Sequence, residues 1–489
     1  MSLVRDTVRG ALWTIGAGMG SRALGLAGTL IITRFVAPAE YGEVTVAAVL
    51  AMTANQLSTI GWGQYLVSRP DAPRSTAFHV TTFHICLGLL ALVALVLGGP
   101  LFGRLFDAPG MGRFLPGLAL AVALDRIAFV PERILVRDLR FGRLGATRTA
   151  GDLAHTVVSI GSAALGLGAT AIVLGNLARS LVRMVVYVSS VERRDWLLGS
   201  RINWEESRQM LAFGVPMSLG ALCEFATRRW DNLLVSHLFG PGPTGMYNLA
   251  YNLADVPAIQ VGEQIGDVLL PSFARMNPER RPDAFVRSLA LLALIVFPLA
   301  VGLGVVAPTL VATIFDPRWR EIGPMLVLLS ALSVARPVGW TVASYLQARQ
   351  LPRSILMLEA FKLTLLVTGI MTLGRQSPLW TCVAVGVAFA GHGLASLWVV
   401  QKKDGIALGR TLGALLPALG ACLLMAAAVL LVRSGLLAGA SPLRPVFRLA
   451  IEVLTGAVVY VAGASLLARR ASQELLDKVR VALRPRAVS

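Results

Sequence analysis

LAFGVPMSLGALCEFATRRWDNLLVSHLFGPGPTGMYNLAYNLADVPAIQVGEQIGDVLLP, residues 211–271, decides the fold. Two long apolar segments flank a short turn, FGPGPTG. They carry Glu224, Arg228, Arg229, Asp231, Asp255, Glu263 and Asp267. A helix long and apolar enough to cross a bilayer rarely holds charge unless it faces protein or water, so these residues mark a functional cavity. The stretch also echoes the N-terminal part of the chain. ITRFVAPAEYGEVTVA at 32–47 aligns without gaps on VSHLFGPGPTGMYNLA at 235–250. Pro38 falls on Pro241, Gly42 on Gly245 and Ala47 on Ala250, all at an offset of 203. Two related halves are the usual sign of a two-lobed transporter.

Composition agrees. The 489 residues are 55% hydrophobic and 15% charged, with a mean hydropathy of +0.68. Soluble domains are nearer a quarter charged. The apolar residues run nearly the whole length, and Leu3 to Leu30 reads as a span rather than a cleavable leader. The net charge of +18 does not point to nucleic acid, because Lys and Arg cluster between apolar spans, as the positive-inside rule requires. Cys86, Cys223, Cys382 and Cys422 lie far apart in apolar segments and show no metal or disulfide pattern.

At about 20 residues per membrane helix, fourteen spans are expected. They are 11–33, 43–67, 79–103, 114–131, 149–168, 170–190, 211–238, 245–270, 286–312, 322–346, 354–374, 378–400, 411–432 and 446–467. With the N-terminus inside, the inner segments hold 28 Lys or Arg and the outer loops 9. That bias supports cytoplasmic N- and C-termini. No loop is large enough for a soluble domain, so function lies among the helices. Residues 471–483 form a candidate amphipathic helix on the inner membrane face, or a frayed end.

Several charges fall inside spans. Arg22 sits about 16 Å into the first span at 1.5 Å per residue, either in a buried ion pair or facing a ligand. Glu224 and Arg228 stand at i,i+4, the favourable order for a helix ion pair. Arg229 points elsewhere and is expected to be the freer cation. Glu263 and Asp267 share a face as a like-charge pair, and Asp255 precedes a helix-weakening proline, Pro257. Asn55, Gln56 and Gln64 are polar at comparable levels of the second span. Arg126 is expected to snorkel from the inner end of the fourth span. Arg179 and Arg183 share a face and meet either phosphate or Asp152. Glu359 and Lys362 read as a structural i,i+3 pair, and the five histidines as packing residues.

The runs GALWTIGAGMGSRALGLAGTLIITRFVAPAEYGEVTVA, FGVPMSLGALCEFATRRWDNLLVSHLFGPGPTGMYNLAYNLADVP and LLPSFARM carry a family resemblance. So does the pattern R-x-D-N … G-x-Y-x-x-A, here Arg229, Asp231, Asn232, Gly245, Tyr247 and Ala250. The chain resembles the multidrug/oligosaccharidyl-lipid/polysaccharide (MOP) exporter superfamily, in its polysaccharide-transporter branch of Wzx-type flippases. The resemblance implies an all-α polytopic membrane protein with about 14 transmembrane helices in two lobes. Its lobes would be 1–200 and 201–400, with 401–489 holding helices 13 and 14 and a basic cytoplasmic tail. It implies a non-enzymatic flippase for undecaprenyl-pyrophosphate-linked oligosaccharide repeat units in the bacterial inner membrane, used in exopolysaccharide or O-antigen synthesis.

On that resemblance the cavity residues are Arg22, Asn55, Gln56, Trp62, Arg228, Arg229, Asp231, Asn232 and Tyr247. Asp255, Glu263 and Asp267 are candidate coupling residues, with H+ or Na+ as the coupling ion and no cofactor or metal. Expected partners are the lipid-linked glycan, membrane lipids, and a polysaccharide polymerase and co-polymerase, with no nucleic acid. The competing readings are a lipid II flippase, a cation-coupled exporter of drugs or amphiphiles, and a scaffold without transport.

Overall fold

The computed structural model describes residues 25, 27–67, 74–138, 140–200, 203–438, 444–469 and 471–474, with side chains except at 67, 74, 216, 256–268 and 436–438. All regular structure among them is helical. Nine of the described helical segments are long and apolar enough to cross a membrane. Their large apolar side chains often point outward: Leu97 is 77% exposed and Leu466 81%. A surface this greasy is stable only against lipid. The chain divides into two compact units, 1–246 and 247–489. This division falls after the expected lobe boundary at 200/201.

The first unit holds α1 (Pro38–Leu57), α2 (Trp62–Val67), α3 (Arg74–Leu97), α4 (Gly99–Leu105), α5 (Leu115–Arg137), α6 (Phe141–Ala164), α7 (Thr170–Ser189) and α8 (Trp204–Phe239), and the start of α9 (Pro241–Arg275). Helix starts are chemically marked. Pro38 begins α1, where its missing N–H costs nothing. Asn203 caps α8 by accepting from the backbone N–H groups of Glu205 and Glu206. Gly240, at φ +77°, ends α8, and Pro241 starts α9 directly. The GLGAT break between α6 and α7 is a tight turn through Gly166 and Gly168, both at positive φ.

Within this unit the core joins α1, α3, α5 and α7 through Val46, Val49, Leu92, Leu115 and Val173. A second cluster packs Trp62, Tyr65, Val80, Ile134, Trp196 and Met210. The first turn of α8 is tied to α3: Glu206 accepts from Thr76 Oγ1 and lies 3.0 Å from His79 Nδ1.

The second unit continues with α10 (Arg281–Ile314), α11 (Ile322–Leu332), α12 (Arg336–Ala348), α13 (Pro352–Thr372), α14 (Pro378–Asp404), α15 (Leu408–Ala438) and α16 (Pro445–Leu467). The expected span 322–346 is two helices joined by a 3-10 turn, Ser333–Ala335. Phe285, Leu289, Val342, Tyr345 and Leu397 form one core of this unit. Ala421, Cys422, Met425 and Ala464 form another, where α10, α15 and α16 meet. Glu452 is fully buried on α16. It accepts from Arg433 Nε at 3.0 Å, Nη2 at 2.8 Å and Thr309 Oγ1 at 2.8 Å. A buried carboxylate satisfied this fully locks helices together.

Candidate functional site

The expected second span, 43–67, is not one helix. It breaks between Leu57 and Trp62, where Gly61 takes φ +56°. Gly61 also lies so close to Gly214 of α8 that a Cβ there would overlap the Gly214 backbone. Broken backbone at membrane depth is tolerated where it is buried in protein or lines a wet cavity. Arg126 of α5 holds the break. It is 2% exposed and donates to the Asn55 carbonyl at 3.0 Å, the His84 carbonyl at 2.7 Å and Ser58 Oγ. Carbonyls in the last turn of a helix have no helical partner and carry partial negative charge, so a guanidinium fits there. Arg126 is therefore a buried clamp, and the expectation that it snorkels is corrected.

Around this break lies a cavity of about 330 Å³. Asn55, Gln56, Thr59 and Gln64 form one wall, Phe129, Glu132 and Arg133 of α5 another, and Met217, Ser218 and Ala221 of α8 a third. Arg148 of α6 and Arg183 of α7 complete it. Arg148 pairs with Glu132 at 3.0 Å, and Arg183 shares Asp152 with Arg179, each at 3.2 Å. Arg133 lies 5.1 Å from the Phe129 ring centroid, and its Nε is buried without a hydrogen-bond partner.

The structure brings Asn55 and Gln56 to this cavity and places the other described site residues elsewhere. Trp62 stacks on Phe83 at 5.9 Å inside the core. Arg228 pairs with Glu224 at 3.1 Å. Arg229, one residue on, makes no ion pair among the described residues and lies within electrostatic reach of Tyr41. Asp231 and Asn232 are buried, and the Asp231 carboxylate accepts from the Asn232 backbone N–H and side-chain amide. Tyr247 is buried and tilted against Tyr251, 5.9 Å away. Arg22 lies outside the described residues, as do the side chains of Glu263 and Asp267 and the tail beyond Glu474.

Within the second unit Asp255 pairs with Arg336, whose guanidinium lies over the Tyr251 and Phe389 rings. Beside it Lys362 pairs with Glu359 at 2.5 Å, and His392 Nε2 is 3.6 Å from the same carboxylate. The Arg336 partnership was not legible, because it joins residues 81 apart. Arg133 and Arg148 fall between the fourth and fifth expected spans, and nothing in their local sequence shows that they line a cavity. Among the described residues no group of three or more His, Cys, Asp or Glu is arranged to hold a metal ion.

Residues 31–324 match the family model described as "Polysaccharide biosynthesis protein". Among curated proteins the chain is 26% identical to the lipopolysaccharide biosynthesis protein WzxC of Escherichia coli (strain K12), over 77% of each chain. It is 23% identical to the succinoglycan biosynthesis transport protein ExoT of Rhizobium meliloti (strain 1021), over 99% of this chain and 97% of the other. Among solved structures it resembles the lipid II flippase MurJ in an inward closed conformation, with a TM-score of 0.77 at 15% identity. That likeness covers 94% of this chain and 99% of MurJ. An inward-facing MATE transporter of the MOP superfamily matches with a TM-score of 0.55 at 17% identity, over 81% and 96% of the two chains.

Proposed function

The chain belongs to the polysaccharide biosynthesis protein family, and from that membership we propose that it flips undecaprenyl-pyrophosphate-linked oligosaccharide repeat units across the bacterial inner membrane. It is a multi-pass membrane transporter of the MOP superfamily, related to WzxC-like polysaccharide flippases. Cargo crosses by alternating access, inner side first, with both termini cytoplasmic. The repeat unit then feeds a polymerase and co-polymerase.

The observation that carries this reading is a broken membrane helix beside a polar cavity with arginines in its walls. Amide and hydroxyl groups from Asn55, Gln56, Thr59, Gln64 and Ser218 suit the hydroxyls of a glycan. A lipophilic cation would call for carboxylates and aromatic faces instead. Arg229 and Arg22 are assigned to the pyrophosphate, because guanidinium grips phosphate oxygens as a fork. Asp255, with Glu263 and Asp267, is assigned to coupling with H+ or Na+. The lobes are assigned to 1–200 and 201–400, followed by helices 13 and 14 and the tail.

The test is deletion in the native host with extraction of the lipid-linked pool. Accumulation of a completed undecaprenyl-pyrophosphate repeat unit, with surface polymer lost and peptidoglycan normal, is the expected result. Unchanged pools and polymer in a strain without a redundant homologue would remove this function.

A further inference from the structure

Along one seam of the second unit the packing is uneven. There α15 and α16 lie against α10, and the end of the seam near Arg433 is tied by the buried Glu452 carboxylate. Ala421, Cys422, Met425 and Ala464 fill its middle. Beside them Tyr460 Oη donates to the Leu294 carbonyl at 2.5 Å, which Pro298 leaves without its helical N–H donor. At the opposite end the three helices part. A cavity of about 400 Å³ opens there, walled by Ala290 and Leu294 of α10, Ala414 and Ala418 of α15, and Leu467 and Ala468 of α16. The alanines are too short to close the gap. The chain past α16 forms a rim: Ala471 lines the cavity, Ser472 Oγ donates to the Ala464 carbonyl at 3.0 Å, and Glu474 reaches Arg287 of α10 at 3.5 Å. Among the arginines at this end, Arg287 is held by Glu474, and Arg410 by Asp283 at 2.7 Å. Arg469 is exposed, lines the cavity and makes no ion pair among the described residues.

We propose that this cavity holds an acyl chain of an anionic phospholipid, whose phosphate rests on Arg469. The volume equals roughly thirteen waters at ~30 Å³ each. Arg469 is the one charged or polar side chain among the described lining residues, so water gains few partners there. Left empty, the gap forfeits the dispersion contacts of its walls. A lipid chain restores them and needs no polar partner. A straight chain suits a slot walled by alanines better than the methyl-branched chain of a polyprenyl carrier. The guanidinium at the mouth selects the headgroup, because basic side chains at the membrane surface attract anionic lipid and a guanidinium takes phosphate oxygens as a fork. With both termini cytoplasmic, this end faces the inner leaflet, and the site rests on the transporter reading for that placement alone. The bound lipid wedges α10 against the α15–α16 pair where the helices leave each other.

The test is native mass spectrometry of the purified full-length protein in detergent, titrated separately with dioleoylphosphatidylglycerol and dioleoylphosphatidylcholine. Wild-type protein is expected to take its first phosphatidylglycerol about fivefold more tightly than its first phosphatidylcholine, a difference of about 1 kcal/mol. Arg469→Gln should erase that preference and leave phosphatidylcholine binding unchanged. Ala414→Phe, which fills the cavity without changing charge, should weaken the first binding of both lipids severalfold and gives a reading independent of the arginine. Arg410→Gln, at an exposed and already paired position, should leave the preference in place.

Equal affinity for the two lipids in the wild type, a preference that survives Arg469→Gln, or unchanged lipid binding in Ala414→Phe overturns the proposal. An equal loss in Arg410→Gln would reduce the site to a general basic surface and overturn it too. Displacement of phosphatidylglycerol by equimolar undecaprenyl phosphate would assign the slot to the carrier chain, with the same consequence. Phospholipid binding needs no flipping. A failed transport reading would therefore leave the preference intact, and a lost preference with normal export would remove this lipid site alone.

Discussion

Gly42 and Gly245 occupy each other's space. A Cβ on Gly42 would strike the Pro241 carbonyl oxygen, and one on Gly245 would strike the Pro38 carbonyl oxygen. Each Cβ position also lies 3.0 Å from the other glycine's backbone nitrogen. The contact is reciprocal, and its four residues are those paired by the offset of 203 in the sequence. The starts of α1 and α9 therefore meet backbone to backbone about a local two-fold relationship.

Gly42→Val and Gly245→Val should each destabilise the protein, because neither helix start can admit a side chain. Overpacking of this kind costs about 1–3 kcal/mol. Thermal unfolding followed by fluorescence-detected size exclusion should show a lower midpoint for both. Gly220→Ala, in α8 with open space around it, should be neutral or slightly stabilising, since Ala is a better helix former than Gly by up to ~1 kcal/mol. Equal behaviour of all three variants would remove the close-contact explanation.

The repeat was legible because its glycines and prolines are local chemistry: each permits a turn or an approach wherever it sits. The break in the second span was not. S-T-I-G inside an apolar run reads as helix, and the break depends on Arg126, 68 residues downstream of Ser58. The Glu224–Arg228 pair was readable because i,i+4 spacing fixes it within one helix. The Asp255–Arg336 pair belongs to two helices, and no spacing rule connects them.

Arg126→Leu should reduce both stability and transport. It removes a charged donor from the Asn55 carbonyl and Ser58 Oγ at the α1 break and from the His84 carbonyl of α3, and a hydrogen bond to a charged group contributes about 1.5–3 kcal/mol. A lower unfolding midpoint together with lost complementation of the deletion strain is expected. Normal stability with lost complementation would mean that Arg126 contacts cargo directly.

Asp255→Asn and Arg336→Gln should each destabilise the second unit by leaving one buried charge alone, a change typically worth about 3–5 kcal/mol. The double variant should recover much of the loss in a double-mutant cycle. If Asp255 serves coupling, that recovered protein still fails to export. Additive losses, with no recovery, would show that the two groups do not interact energetically.

Arg229→Gln should lower export more than Arg228→Gln at equal expression, because Arg228 is held by Glu224 and Arg229 has no ion pair among the described residues. Surface polymer per cell, normalised to the amount of protein in the membrane, measures this. The reverse order would move the phosphate assignment to Arg228.

Flipping itself is measured most directly in proteoliposomes. The purified chain is reconstituted with radiolabelled undecaprenyl-pyrophosphate oligosaccharide from the deletion strain, loaded on one leaflet. A membrane-impermeant glycosidase then reports the fraction of glycan exposed outside. Protein-dependent movement of the label between leaflets, reduced by Arg229→Gln, is the expected result. Movement no faster than in protein-free vesicles, with folded protein and an imposed proton or sodium gradient, would contradict the flippase assignment.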